Sequence, residues 1–164
     1  MLILLPVDGS DHALAAVRHA IRLVQAGLQA RFVLANVQEA THLYEVVLAH
    51  DVAVLEAASQ AAGEHALVSA SALLTAAGVE YLRVVAQGDP GHVLVELAEE
   101  QGCDAIILGS EPPGLLGGGR LGAVAQSVLR HASVPVTIVQ PELAEEADDD
   151  ASGEGDPDDP APSV

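Results

Sequence analysis

Five short apolar runs, each stopped by a turn residue and separated from the next by a helical pattern, restrict this chain to one kind of fold. The runs are Leu2–Val7, Phe32–Val37, Tyr81–Ala86, Ala105–Leu108 and Val134–Val139. Runs with little polar interruption read as strands buried on both faces, the mark of a parallel sheet covered by crossover helices. Ser10 or Asp11 caps a first helix, with Leu14, Val17, Ile21 and Val24 on its apolar face and Gly27 at its close. Apolar or small residues at 52, 55, 58, 62, 66, 70, 73 and 77 predict a helix over 51–77. Residues 39–50 leave loop and short helix both open. Asp89 caps the next helix, Pro90 takes its first position, Val93, Leu94, Leu97 and Ala98 face the core, and Gly102 ends it. A last helix runs from Gly122 to His131, with Leu121, Val124, Ala125, Val128 and Leu129 at helical spacing. The expected fold class is α/β: an open five-stranded parallel sheet with helices on both faces and right-handed crossovers.

A chain of 164 residues supports one domain with a real core. Aromatic residues are limited to Phe32, Tyr44 and Tyr81, so that core is aliphatic. No apolar run approaches the roughly 18 residues of a membrane span. The start of the chain also lacks the basic flank of a signal peptide. Cys103 is the single cysteine, which rules out an internal disulfide and fits a cytoplasmic setting; it reads as a small buried residue rather than a reactive thiol.

The formal net charge of −18 is uneven. From Glu142 to Val164 there are ten acidic and no basic side chains, and this segment holds too little apolar surface to offset its ordering entropy. The expectation is a body over 1–141 and a disordered acidic tail over 142–164, a solvated arm or an arm for a basic protein partner. The six basic residues are scattered arginines, so nucleic acid is excluded as a partner.

One local feature points to a ligand. Ile106-Ile107-Leu108-Gly109-Ser110 is a buried strand ending in glycine. Pro112–Gly122 carries two adjacent prolines and five glycines, and a helix start follows. Strand, glycine-rich turn and helix N-terminus bring unpaired N–H groups together, which favours an anion and phosphate above all. In open parallel sheets ligands sit beyond the carboxyl ends of the strands, where Asp8, Val37 and Gly109 fall. Arg120 is the basic residue of the loop, and Gly117, Gly118 and Gly119 offer further donors.

Other chemistries find no constellation. The seven histidines are dispersed without metal-ligand spacing, so no metal is expected. Ser110 lacks the second glycine of a nucleophile elbow, and no Gly-Lys-Ser/Thr makes a P-loop. No general base is placed beside a nucleophile, so the chain is expected not to be an enzyme.

The motifs together resemble the universal stress protein (UspA-like) family over residues 1–141. Leu5-Pro6-Val7-Asp8-Gly9-Ser10 is similar to that family's first strand and turn, and Gly88-Asp89-Pro90 to the start of its third helix. Cys103–Ser110 resembles its fourth strand, and Val128-Leu129-Arg130-His131-Ala132-Ser133-Val134-Pro135-Val136 its closing helix and strand. The resemblance implies an adenine nucleotide alpha hydrolase-like sheet of order 3-2-1-4-5 and a homodimer through the last strand. It also implies a site for ATP or AMP built from Pro6, Asp8, Val37, Leu108, Gly109, Arg120, Gly122, Ala123 and Val124. In that reading Asp8 accepts from the ribose hydroxyls and Val37 presents main-chain groups to adenine. The family's ATP-binding branch carries Gly, two residues, Gly, nine residues, then Gly and Ser or Thr. Here Gly109 and Gly122 keep the outer spacing, but Pro112 replaces the inner glycine and Ala123 the hydroxyl residue. Proline donates no N–H, so the phosphate end is weakened. The alternatives are a relative that has lost nucleotide and acts as a dimeric protein-interaction module, or a slow nucleotide hydrolase or transferase. Asp8 has its own alternative as a turn aspartate serving the Ser10 region.

Overall fold

The computed structural model describes residues 1–39, 52–110 and 121–140. Five strands, β1 (Leu2–Pro6), β2 (Arg31–Gln38), β3 (Tyr81–Gln87), β4 (Ala105–Gly109) and β5 (Val136–Val139), form one parallel sheet in the order β3-β2-β1-β4-β5. The described helices are α1 (Asp11–Gln25), α2 (Val52–Ala66), α3 (Val68–Ala76), α4 (Pro90–Glu100) and α5 (Ala123–His131). None is long and apolar enough to cross a membrane.

The continuous apolar runs are explained by the two covered faces. Side chains alternate along a strand, so Ile3 and Leu5 of β1 join Phe32 and Leu34 of β2 under Ala16, Val17 and Ala20 of α1 and Leu74 of α3. Leu4, Val33, Ile106 and Leu108 point the other way, beneath Leu94 and Leu97 of α4 and Val128 of α5. Cys103 is buried on that second face. Burial, and then the neighbouring Asp104 carboxylate, push its thiol above the usual cysteine range, which leaves it protonated and inert at neutral pH.

Four expectations are corrected in detail. The helix predicted over 51–77 is two helices, interrupted at the buried Leu67, and its inward face is Gly63, Leu67, Ala70, Ser71 and Leu74, with Ala58, Ala62 and Ala77 exposed. Alanine occurs all round this segment, so spacing alone does not locate the face. Contact does, since a Cβ at Gly63 would stand 2.4 Å from Val85 Cγ1. On α1 the deepest contacts are Ala13, Ala16, Val17 and Ala20, while Leu14, Ile21 and Val24 are half-buried, because alanines let the helix lie close to the sheet. On α5 only Ala125 and Val128 are buried; Val124 and Leu129 are 38% and 43% exposed, since this helix covers the sheet's rim. The edge strand β3 is covered incompletely, and Leu82 is 54% exposed. Expectations for 40–51, for the glycine-rich segment 111–120 including Arg120, and for the acidic segment 141–164 lie outside the described residues.

Candidate functional site

The carboxyl ends of β1 and β2 meet the first turns of α1 and α4, and a crevice of about 100 Å³ opens there. Its lining includes Pro6, Asp8, Ser10, Val37, Pro90 and Leu94. Three of the residues singled out from sequence, Pro6, Asp8 and Val37, are thereby brought together. The volume falls below the 300–1,000 Å³ usual for ligand pockets. A larger opening of about 760 Å³ lies at the opposite end of the sheet, among Met1, Arg31, Glu80 and Asp104. The smaller crevice is the candidate, because ligands of open parallel sheets sit at the carboxyl ends.

The turn after β1 is built by local bonds. The Ser10 N–H donates to Asp8 Oδ1 at 2.9 Å, and the Ala13 N–H to Ser10 Oγ at 3.2 Å, which makes Ser10 the cap of α1. Gly9 stands at φ 90°, a conformation that a side chain would strain. The turn function weighed for Asp8 is therefore real. Its Oδ2 has no partner among the described residues, and the side chain faces the crevice rim, so the turn leaves a carboxylate oxygen for a ligand.

Gly109 has a packing reason beyond any ligand. A Cβ built there would lie 2.1 Å from the His12 carbonyl oxygen and 2.4 Å from its carbon. Backbone thus meets backbone where β4 ends under the first turn of α1. Leu108, the residue before it, is buried on the α4–α5 face.

Helices α1, α4 and α5, which begin at this end of the sheet, differ in their caps. Ser10 caps α1, and Asp89 caps α4 by accepting from the His92 N–H at 3.0 Å. The start of α5 has Gly122 as its cap residue and no side-chain cap bond. Gly122, Ala123 and Val124 are exposed. The N–H groups of its first turn accordingly have no side-chain acceptor and are open to an anion. Among the described residues that line the crevice, Asp8 is the only acidic or basic side chain. Among the described residues no group of three or more His, Cys, Asp or Glu could hold a metal ion.

The model of the universal stress protein family matches residues 1–140. The chain belongs to that family. A universal stress protein of Methanocaldococcus jannaschii is 27% identical over 138 residues, 84% of this chain and 81% of the relative. A solved universal stress protein in complex with cAMP is 25% identical, covers 85% of this chain and 96% of its own, and superposes with a TM-score of 0.58. A family member from Arabidopsis thaliana, solved with AMP bound, covers 91% of this chain and 97% of its own at a TM-score of 0.64; at 18% identity it shows the fold alone.

Two parts of this universal stress protein's site escaped sequence reasoning. Ser10, Pro90 and Leu94 also line the crevice, although only their capping or core roles were legible. Asn36 is the other. It is 3% exposed within the otherwise apolar interior of β2, and its Nδ2 donates to the Val7 carbonyl at 2.7 Å. A lone carboxamide inside an apolar run was the available signal.

Proposed function

We propose that this universal stress protein binds an adenine nucleotide at the carboxyl ends of β1, β2 and β4, as a regulatory, non-catalytic protein of the stress response. The ribose hydroxyls donate to Asp8, the adenine edge meets main-chain groups of Val37, and the phosphate lies toward the uncapped start of α5. The observation that carries this reading is the crevice that gathers Pro6, Asp8 and Val37 at the carboxyl ends of β1 and β2, with the start of α5 free of a side-chain cap. The relative solved with cAMP supports an adenine nucleotide bearing a single phosphate.

The phosphate end is weak for reasons of chemistry. Ala123 offers its N–H but no hydroxyl, Pro112 and Pro113 offer no N–H, and no cation lines the described crevice. A bond to a charged group is worth about 1.5–3 kcal/mol, or one to two decades of affinity. Additional phosphates therefore gain little here. In calorimetric titration, AMP and ADP are expected to bind within about tenfold of ATP, and Ala123→Ser to raise ATP affinity by about tenfold. A hundredfold preference for ATP over AMP in the unsubstituted protein contradicts the weakened site.

The proposed partner is a second copy of the chain, in the cytoplasm, and not a nucleic acid. β5 is an edge strand of the sheet whose far side has no neighbour among the described residues. An uncovered strand edge invites pairing with another chain. Ile138→Lys is expected to give a monomer in light scattering, with the thermal midpoint followed because Ile138 also packs on the α4–α5 face. A dimer that persists in the folded variant places the interface elsewhere.

A further inference from the structure

We propose that Asn36 is a positioning residue for the crevice: its buried carboxamide holds the Val7 carbonyl and so fixes the turn that carries Asp8. The inference deepens the nucleotide reading and rests on it for its binding arm only.

The geometry is a short chain of polar contacts in an apolar setting. Gln38 Nε2 donates to Asn36 Oδ1 at 2.6 Å, and Asn36 Nδ2 donates to the Val7 carbonyl at 2.7 Å. Val7 in turn donates its own N–H to the Ala35 carbonyl at 2.8 Å. Val7 is thus held through both of its main-chain groups, one by the β2 backbone and one by the Asn36 side chain. The next residue is Asp8, and the one after is Gly9, whose left-handed backbone cannot follow the strand further. Past Val7 the chain leaves the sheet, so a ladder bond no longer serves that carbonyl and a side chain takes its place.

Asn36 is itself locked from above. A Cβ at Gly63 of α2 would stand 2.9 Å from Asn36 Oδ1, so glycine leaves the space the carboxamide occupies. Ala66, one turn on, lies 3.6 Å from the position of a Cβ at Gly9. One helix therefore seats on the carboxamide and on the turn together. An aliphatic residue at 36 would satisfy the core equally well and leave the Val7 carbonyl unpaired. An asparagine there is explained by the turn it holds.

The test uses the full chain with Asn36→Ala and Asn36→Asp, the second keeping size and the acceptor for Gln38 while replacing the donor to Val7. In the ligand-free protein, backbone amide order parameters at Asp8, Gly9 and Ser10 are expected to fall from about 0.85 to below about 0.6, with those of β4 unchanged. In calorimetry, each Asn36 substitution is expected to weaken AMP binding about tenfold in the native background and less than about twofold in an Asp8→Ala background. Unchanged order parameters in a folded variant overturn the inference, as does an AMP effect that is the same in both backgrounds. Failure of the native protein to bind AMP overturns the nucleotide reading instead, and the order parameters still decide the role of Asn36.

Discussion

Gly109→Ala is expected to lower stability by about 3 kcal/mol, at the upper end of what overpacking costs. For a domain of this size that is a fall in thermal midpoint of about 10 °C. The added methyl group would lie 2.1 Å from the His12 carbonyl oxygen and 2.9 Å from the Ala13 nitrogen. Both are main-chain atoms, so no rotamer change relieves the clash; α1 must lift from β4 or the strand end must shift. The buried contacts of Ala13, Ala16 and Val17 are strained with it. Gly122→Ala is the control. Nothing lies within 4 Å of a Cβ there, and its cost is expected to be about 1 kcal/mol or less, the loss of a tolerable N-cap residue. Equal midpoints for the two variants, followed by circular dichroism, contradict the close approach of α1 to β4.

Asp8 carries the second large effect, on binding rather than on folding. Asp8→Ala is expected to weaken AMP binding ten- to hundredfold, since a charged acceptor to the ribose hydroxyls is lost. The loss of stability is small by comparison, because Asp8 is exposed and the cap of α1 belongs to Ser10. Asp8→Asn separates the two functions of the side chain. It keeps an oxygen for the Ser10 N–H, so the turn stays intact, and removes the charge that strengthens the ribose bonds. Its expected AMP affinity lies between those of the native protein and Asp8→Ala. If AMP binds all three forms alike, Asp8 serves the turn alone.

The sheet was legible in the sequence because β1, β2 and β4 are apolar on both faces and alternate with helical segments, the character of doubly covered parallel strands. Caps were legible for the same kind of reason. Ser10 and Asp89 each accept from the N–H three positions on, a relation carried entirely by local sequence. The orientation of α2 and α3 was not legible. Alanine, serine and glycine fit either face of a helix, and the choice depends on contacts with Val85 and Asn36 far along the chain. The same holds for α5, where Val124 and Leu129 have the periodicity of a core face but lie at the sheet's rim, exposed. At the site, Pro6, Asp8 and Val37 were recoverable because strand ends in a parallel sheet share one side of the molecule. Gly109 shows the limit of motif reading. The motif assigns it to a ligand, whereas its contact with His12 gives it a folding role that no spacing rule contains.

The central claim is that an adenine nucleotide occupies the crevice at the carboxyl ends of the strands. Amide resonances of the isotopically labelled full chain, followed by NMR during titration with AMP, test it most directly. Saturable shifts are expected at Asp8, Gly9, Ser10 and Val37 and at the α5 start, Gly122 to Val124, with Arg31, Glu80 and Asp104 unmoved. Shifts confined to those last three, at the wider opening on the opposite end of the sheet, or no saturable shifts at all, would contradict it.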